Sequence, residues 1–262
     1  MKTRQPVLFL SHGSPMTALG GDELSRTWAK LATRLTRPTA ILMISAHWTT
    51  RVPLLTGSAQ PETIHDFGGF PEALYRLRYP APGAPELAQR IKQHLTEAGI
   101  ATGIDAQRGL DHGAWVPLRT LFPEADIPVL QLSVQPERCA RHHFALGSAL
   151  AALPGENILL VASGHMTHNL REYMQGGGER PSPAAQNFRD WIHAQLMRNN
   201  DESLLDWLHA APGATSAHPT PEHFLPLFVA LGAAGTQRRT EWLDGGWIEH
   251  SLAADNYLFQ PA

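Results

Sequence analysis

The chain has 262 residues, 43% of them apolar, and carries 21 Lys and Arg against 24 Asp and Glu with neither sign gathered into a block. That is enough to bury one core without disulfides, so a single catalytic domain over residues 1–262 is expected, and the charge balance argues against binding a phosphate backbone as the main activity. Cys139, the only cysteine, excludes an internal disulfide and a thiolate cluster for zinc or iron and reads as a partly buried structural thiol. No run approaches the ~20 apolar residues of a membrane helix. The opening Met1–Leu10 lacks a full signal core and cleavage site, so a cytoplasmic protein with no nucleic-acid or membrane partner is expected. The oddity is 14 His against 4 Tyr.

In chain order, an apolar run at Val7–Leu10 predicts a strand and leads into Ser11, His12, Gly13, Ser14 and Pro15. A helical pattern over Leu24–Leu35 precedes a second strand at Ala40–Ile44, which leads into Ser45, Ala46, His47 and Trp48. A long connection, Thr56–Tyr79, carries His65; a helix is expected over Pro85–Ala98, and a second connection, Gly103–Trp115, carries Asp111 and His112. Strands at Ile127–Val134 and Ile158–Ala162 flank a helix at Arg141–Leu153, and the last of these strands runs through Ser163 and Gly164 into His165, Met166, Thr167, His168 and Asn169. Gly176–Gly178, followed by Glu179, Arg180 and Pro181, reads as a mobile loop. Helices are then predicted at Pro183–Arg198, Glu202–His209 and Glu222–Ala233. Near-continuous apolar strands separated by helices imply an α/β fold, with a mostly parallel central sheet flanked by helices.

In such a sheet ligands bind beyond the carboxyl ends of the strands, where His12, His47 and the pair His165 and His168 are expected to converge. Neutral imidazole suits zinc, iron, copper and nickel, so a metal site follows with its ion open. His223, in Thr220, Pro221, Glu222, His223 and Phe224, is a further candidate. If Glu222 and His223 lie in a first helical turn they point ~100° apart, so only one of them is expected to serve the site. His112 and His65 each neighbour an Asp and either line the site or brace a loop. His94, His142, His143, His193, His209, His218 and His250 read as surface or packing residues.

The ordered set SHGSPM, SAHW, IHDFGGFP, YPAPG, DHGAWVPL, ASGHMTHNL and TPEHFLPL, from about Val7 to at least Pro226, resembles the DOPA 4,5-extradiol dioxygenase family of class III extradiol ring-cleaving enzymes. The resemblance implies a compact α/β domain, one divalent metal, Fe(II) for dioxygenase activity or Zn(II) as bound, and opening of a catechol such as DOPA by dioxygen. It implies His12, His47 and His223 as metal ligands and His168 as catalytic acid/base, countable also as a ligand. His112 would stand on the substrate side, and His165 occupies a position the pattern does not require. Three neutral imidazoles in place of two His and a carboxylate suit zinc as well as ferrous iron, so a zinc-dependent hydrolase is the alternative and a metal- or ligand-sequestering protein a third reading. Arg76, Arg78 and Arg171 are candidates to meet a substrate's polar tail, and Trp48, Trp115, Phe67 and Phe70 to wall the ring. Oligomeric state is not readable from the sequence.

Overall fold

The computed structural model describes residues 4–176 and 180–261. Its strands are β1 (Val7–Ser11), β2 (Ala40–Thr49), β3 (Leu54–Thr56), β4 (Gly103–Asp105), β5 (Val129–Val134), β6 (Ile158–Gly164), β7 (Arg238–Leu243), β8 (Trp247–Ile248), β9 (Leu252–Ala253) and β10 (Asn256–Pro261). Eight of them form one sheet in the order β4-β3-β5-β2-β6-β1-β10-β7, while β8 and β9 pair by themselves. The central pairs β5–β2, β2–β6 and β6–β1 are parallel. The chain is therefore a single α/β domain with a mostly parallel sheet, as the alternation of strands and helices implies.

The central strands are apolar along their length because both faces are covered. Alternate residues divide between two cores: Val7 and Phe9 face one, with Leu160 and Phe228, while Leu8 and Leu10 face the other, with Trp28 and Trp115. The first core holds the helices Ala140–Ala149 and Leu225–Ala234, the second Glu23–Ala32 and His112–Leu121. Leu225–Ala234 is buried on nearly every side, and it lies close against Ala140–Ala149 at Gly147 and Gly232. A Cβ on Gly147 would run into the Val229 carbonyl, and one on Gly232 into the Phe144 carbonyl.

Several expectations are corrected. The second strand runs past Ile44 to Thr49, so His47 lies within β2; its last pairing with β6 is Ser45 with Ser163, and the pairing with β5 shifts register between Ile44 and Thr49. The connection Gly103–Trp115 contains β4 and the first turn of the helix His112–Leu121, which starts after Asp111 at its N-cap. The helix expected over Glu202–His209 is broken at Asp206 into Asp201–Leu205 and Trp207–Ala210. The helix expected from Glu222 begins at Leu225, with Pro226 in its first turn, so Glu222 and His223 sit in the preceding turn. The strands after residue 237 were not foreseen: β7, at the sheet edge, is polar and half-exposed, and the buried apolar part of β10, Tyr257–Phe259, is only three residues long. Of the proposed loop from Gly176 to Pro181, residues 177–179 lie outside the described residues, as do residues 1–3 and 262 of the expected domain, and Cys139, expected to be partly buried, is exposed just ahead of the helix Ala140–Ala149. No helix among the described residues is long and apolar enough to cross a membrane.

Candidate metal centre

Three chain segments meet at the carboxyl ends of β1, β2 and β6. His12 follows β1 directly, and its backbone N–H donates to the Gly164 carbonyl at 3.0 Å. His223 reaches the same point because the His165 N–H donates to the His223 carbonyl at 2.8 Å, an approach that a Cβ on Gly164 would block. The His47 Nε2 then lies 3.0 Å from His12 Nε2 and 3.3 Å from His223 Nε2.

Polar contacts on the far side of each ring, hydrogen bonds for His12 and His223 and a longer carboxylate contact for His47, set what faces inward. Pro117 lies inside the helix His112–Leu121 and has no N–H for the Gly113 carbonyl four residues back, so the Ser163 hydroxyl donates to that carbonyl instead. Ser163 Oγ is thus left to accept from His12 Nδ1, 3.0 Å away. His223 Nδ1 faces Glu222 Oε1 at 3.2 Å, and His47 Nδ1 faces Asp66 Oδ2 at 3.5 Å. With each Nδ1 carrying the proton, three Nε2 lone pairs converge with no hydrogen between them. Burial, then the neighbouring rings, holds His12 and His223 well below the usual imidazole range, and burial followed by His112 pushes His47 down to about 4, so protonation does not relieve the convergence. A cation does. Nitrogens about 2.0–2.1 Å from one tetrahedral ion stand roughly 3.3 Å apart, so the donor set and its spacing fit a divalent metal.

The backbone of His47 is held by a buried polar network. Asp111 accepts from Ser45 Oγ at 2.6 Å and from Gln131 Nε2 at 2.7 Å, and pairs with Arg108 at 3.1 Å; Arg108 also donates to the His47 carbonyl at 3.3 Å. Asp66 stands between two histidines: its Oδ1 accepts the His112 backbone N–H at 2.9 Å, and its Oδ2 lies 3.0 Å from His112 Nδ1. Burial works against the Asp66 carboxylate, yet contact with His112 and then His47 holds it down to about 2.

His168 stacks on His223, with ring centroids 3.4 Å apart and planes 9° from parallel. Its backbone N–H is fixed on the Ala217 carbonyl at 2.8 Å, and burial, then His165, pushes its pKa down to about 2. His112 lies 3.9 Å from His47, ring to ring. All five of the singled-out histidines, 12, 47, 112, 168 and 223, line one cavity of about 490 Å³.

Two further residues line it that sequence reasoning set aside. Glu222 is one: in a turn rather than a helix, neighbours need not diverge by 100°, and its carboxylate reaches the cavity beside His223. His165 is the other. Its Nδ1 donates to the Ala253 carbonyl at 2.9 Å, leaving Nε2 as a buried acceptor without a partner. The sequence placed His165 just beyond a strand end, but that it stands beside His12 follows only from the register, in which Ser11 and Gly164 are partners.

Other candidates lie elsewhere. His65 Nε2 contacts the Leu77 carbonyl at 3.0 Å and braces its loop. Phe67 and Phe70 wall the cavity, but Trp115 is core, donating to the Ile64 carbonyl, and Trp48 packs under Arg108. None of Arg76, Arg78 and Arg171 lines it: Arg76 pairs with Glu72, Arg78 donates to the carbonyls of Tyr75 and Leu77, and Arg171 is exposed.

Residues 6–260 match the family model of the catalytic LigB subunit of aromatic ring-opening dioxygenase. The chain is 46% identical over 234 residues to a 4,5-DOPA dioxygenase extradiol of Escherichia coli K12, covering 88% of this chain and 86% of that one. It is 42% identical over 262 residues to a protein of the same name from Beta vulgaris, covering 96% and 95%. A crystal structure of an uncharacterized Escherichia coli K12 protein superposes with a TM-score of 0.83 at 38% identity, over 98% of this chain and 100% of that one. The chain belongs to the LigB family of aromatic ring-opening dioxygenases and is an extradiol dioxygenase.

Proposed function

We propose that the enzyme opens a catechol ring beside its two hydroxyls with dioxygen, at a divalent metal held by His12, His47 and His223, and that DOPA is among the catechols it takes. The observation that carries this reading is the convergence of three Nε2 lone pairs whose Nδ1 atoms are each tied to a hydroxyl or carboxylate. Ferrous iron in this site would supply the redox chemistry that dioxygen requires, which zinc does not.

The protein's own part is orientation and proton handling. Serine and carboxylate partners aim the three rings at one point, as the outer partners of metal-binding histidines do. His168, stacked on His223, serves as the base that takes a catechol hydroxyl proton, returning it as the ring opens. His112, with its Nδ1 3.0 Å from Asp66 Oδ2, lines the same cavity and stabilises the substrate oxygens by hydrogen bonding. Phe67 and Phe70 flank the ring and exclude water.

Three imidazoles beside a base also suit a zinc hydrolase, and the need for oxygen separates the two readings. With iron-loaded protein in an oxygen electrode, catechols are expected to give one dioxygen consumed per yellow ring-opened product. Turnover that persisted without oxygen would favour hydrolysis, and no uptake with any catechol would overturn ring opening.

A further inference from the structure

Beyond the metal-facing histidines, the cavity is apolar, walled by Phe67, Phe70, Leu170, Tyr173, Ile248 and Leu252. Besides the hydroxyls of Ser14 and Tyr173, its remaining polar side chains are the acceptors Glu222 and His165. Glu222 holds Oε1 on Thr220 Oγ1 at 2.9 Å and on His223 Nδ1, and its Oε2 has no hydrogen-bond partner among the described residues. His165 is 1% exposed, and its Nε2 is an unpartnered lone pair. Leaving such an acceptor buried and unmet is unfavourable, so the site is built to receive a donor. Among the described residues, no Arg or Lys lines the cavity.

Resting on the ring-opening reading, we propose that the enzyme selects catechols whose side chain carries an ammonium group over those whose side chain carries a carboxylate. The catechol oxygens belong at the histidine triad, which places the ring's substituent toward the mouth. There Glu222, with 21% of its side chain exposed, offers a carboxylate, and Tyr173 offers a π face. An ammonium tail meets both. A carboxylate tail meets Glu222 with like charge and finds no cation, and at such separations in a partly dry cavity that difference amounts to about tenfold or more.

Three ligands isolate the charge: DOPA, dopamine, which lacks its carboxylate, and 3-(3,4-dihydroxyphenyl)propanoate, which lacks its ammonium. With iron-loaded enzyme, kcat/KM for dopamine is expected to equal or exceed that for DOPA, and to exceed that for the propanoate by about tenfold. Dissociation constants of the same ligands for zinc-loaded protein under nitrogen should fall in the same order. In Glu222→Gln the dopamine-to-propanoate ratio should shrink at least about threefold, a ratio in which any general loss through His223 cancels. Equal or better use of the propanoate, or an unchanged ratio in Glu222→Gln, would overturn the proposal. If none of the three consumed oxygen, the ring-opening reading would fail, while the binding order would still decide the preference.

Discussion

Two kinds of buried histidine occur in this protein, and they differ in one respect. His143 is as inaccessible as His12, and burial likewise pushes it down, to about 4. Yet both its nitrogens are engaged within the fold: Nδ1 donates to the Cys139 carbonyl at 3.0 Å and Nε2 accepts the Gln135 N–H at 3.1 Å. In the triad only Nδ1 is engaged, and the three Nε2 atoms are aimed at one another. Burial and a depressed pKa therefore do not mark a site, whereas lone pairs made to converge do. The fold tolerates that convergence because the rings are held from behind.

The comparison breaks most readily at the triad. His12→Ala should remove most bound metal and lower oxygen uptake by more than about 10⁴-fold, whereas His143→Ala should lower the unfolding midpoint and leave metal content per folded molecule unchanged. Metal analysis alongside urea denaturation reads both, and equal metal loss in the two variants would erase the distinction. His168→Ala should cost about 10²–10⁴-fold in turnover with metal content near normal. Retained turnover with lost metal would make that ring a ligand rather than a base.

A smaller effect sharpens the point about support from behind. Asp66→Asn keeps the shape but removes the charge shared by His47 and His112, and should weaken metal affinity or activity by about 10–100-fold. A competition titration with a chelator measures the affinity, and unchanged values in both would mean that the other contacts suffice.

A further effect concerns the structural class itself. His143 and His218, the latter pushed down to about 3 by burial, are neutral in the folded state, against an ordinary value of 6.5. Above that value neither state binds the proton, and these residues contribute nothing to pH dependence. Below it the unfolded chain takes up a proton that the native state refuses, so stability falls with pH, down to about 4 for His143 and about 3 for His218, by about 1.4 kcal/mol per pH unit for each. Urea midpoints should drop between pH 7 and pH 5. A flat profile would show these rings protonated in the fold.

Much of this was written in local sequence. Continuous apolar runs at residues 7–10, 40–44 and 158–162 suit strands buried on both faces, which yields the α/β class and puts His12 and His168 beyond strand ends. The ordered motifs also drew attention to His47, His112 and His223. Local pattern did not reveal that His47 sits inside a strand whose register breaks, or that Glu222 shares a turn with His223 instead of diverging from it on a helix. Nor did it reveal that Asp66 lies between two imidazoles, or that His165 mirrors His12 across the β1–β6 pair. These depend on strand register, on the missing side chain of Gly164 and on a proline that frees the Gly113 carbonyl for Ser163. Residue type sets which chemistry is available, but the direction of a lone pair is set by whatever holds the opposite side of the ring, and those partners come from distant parts of the chain.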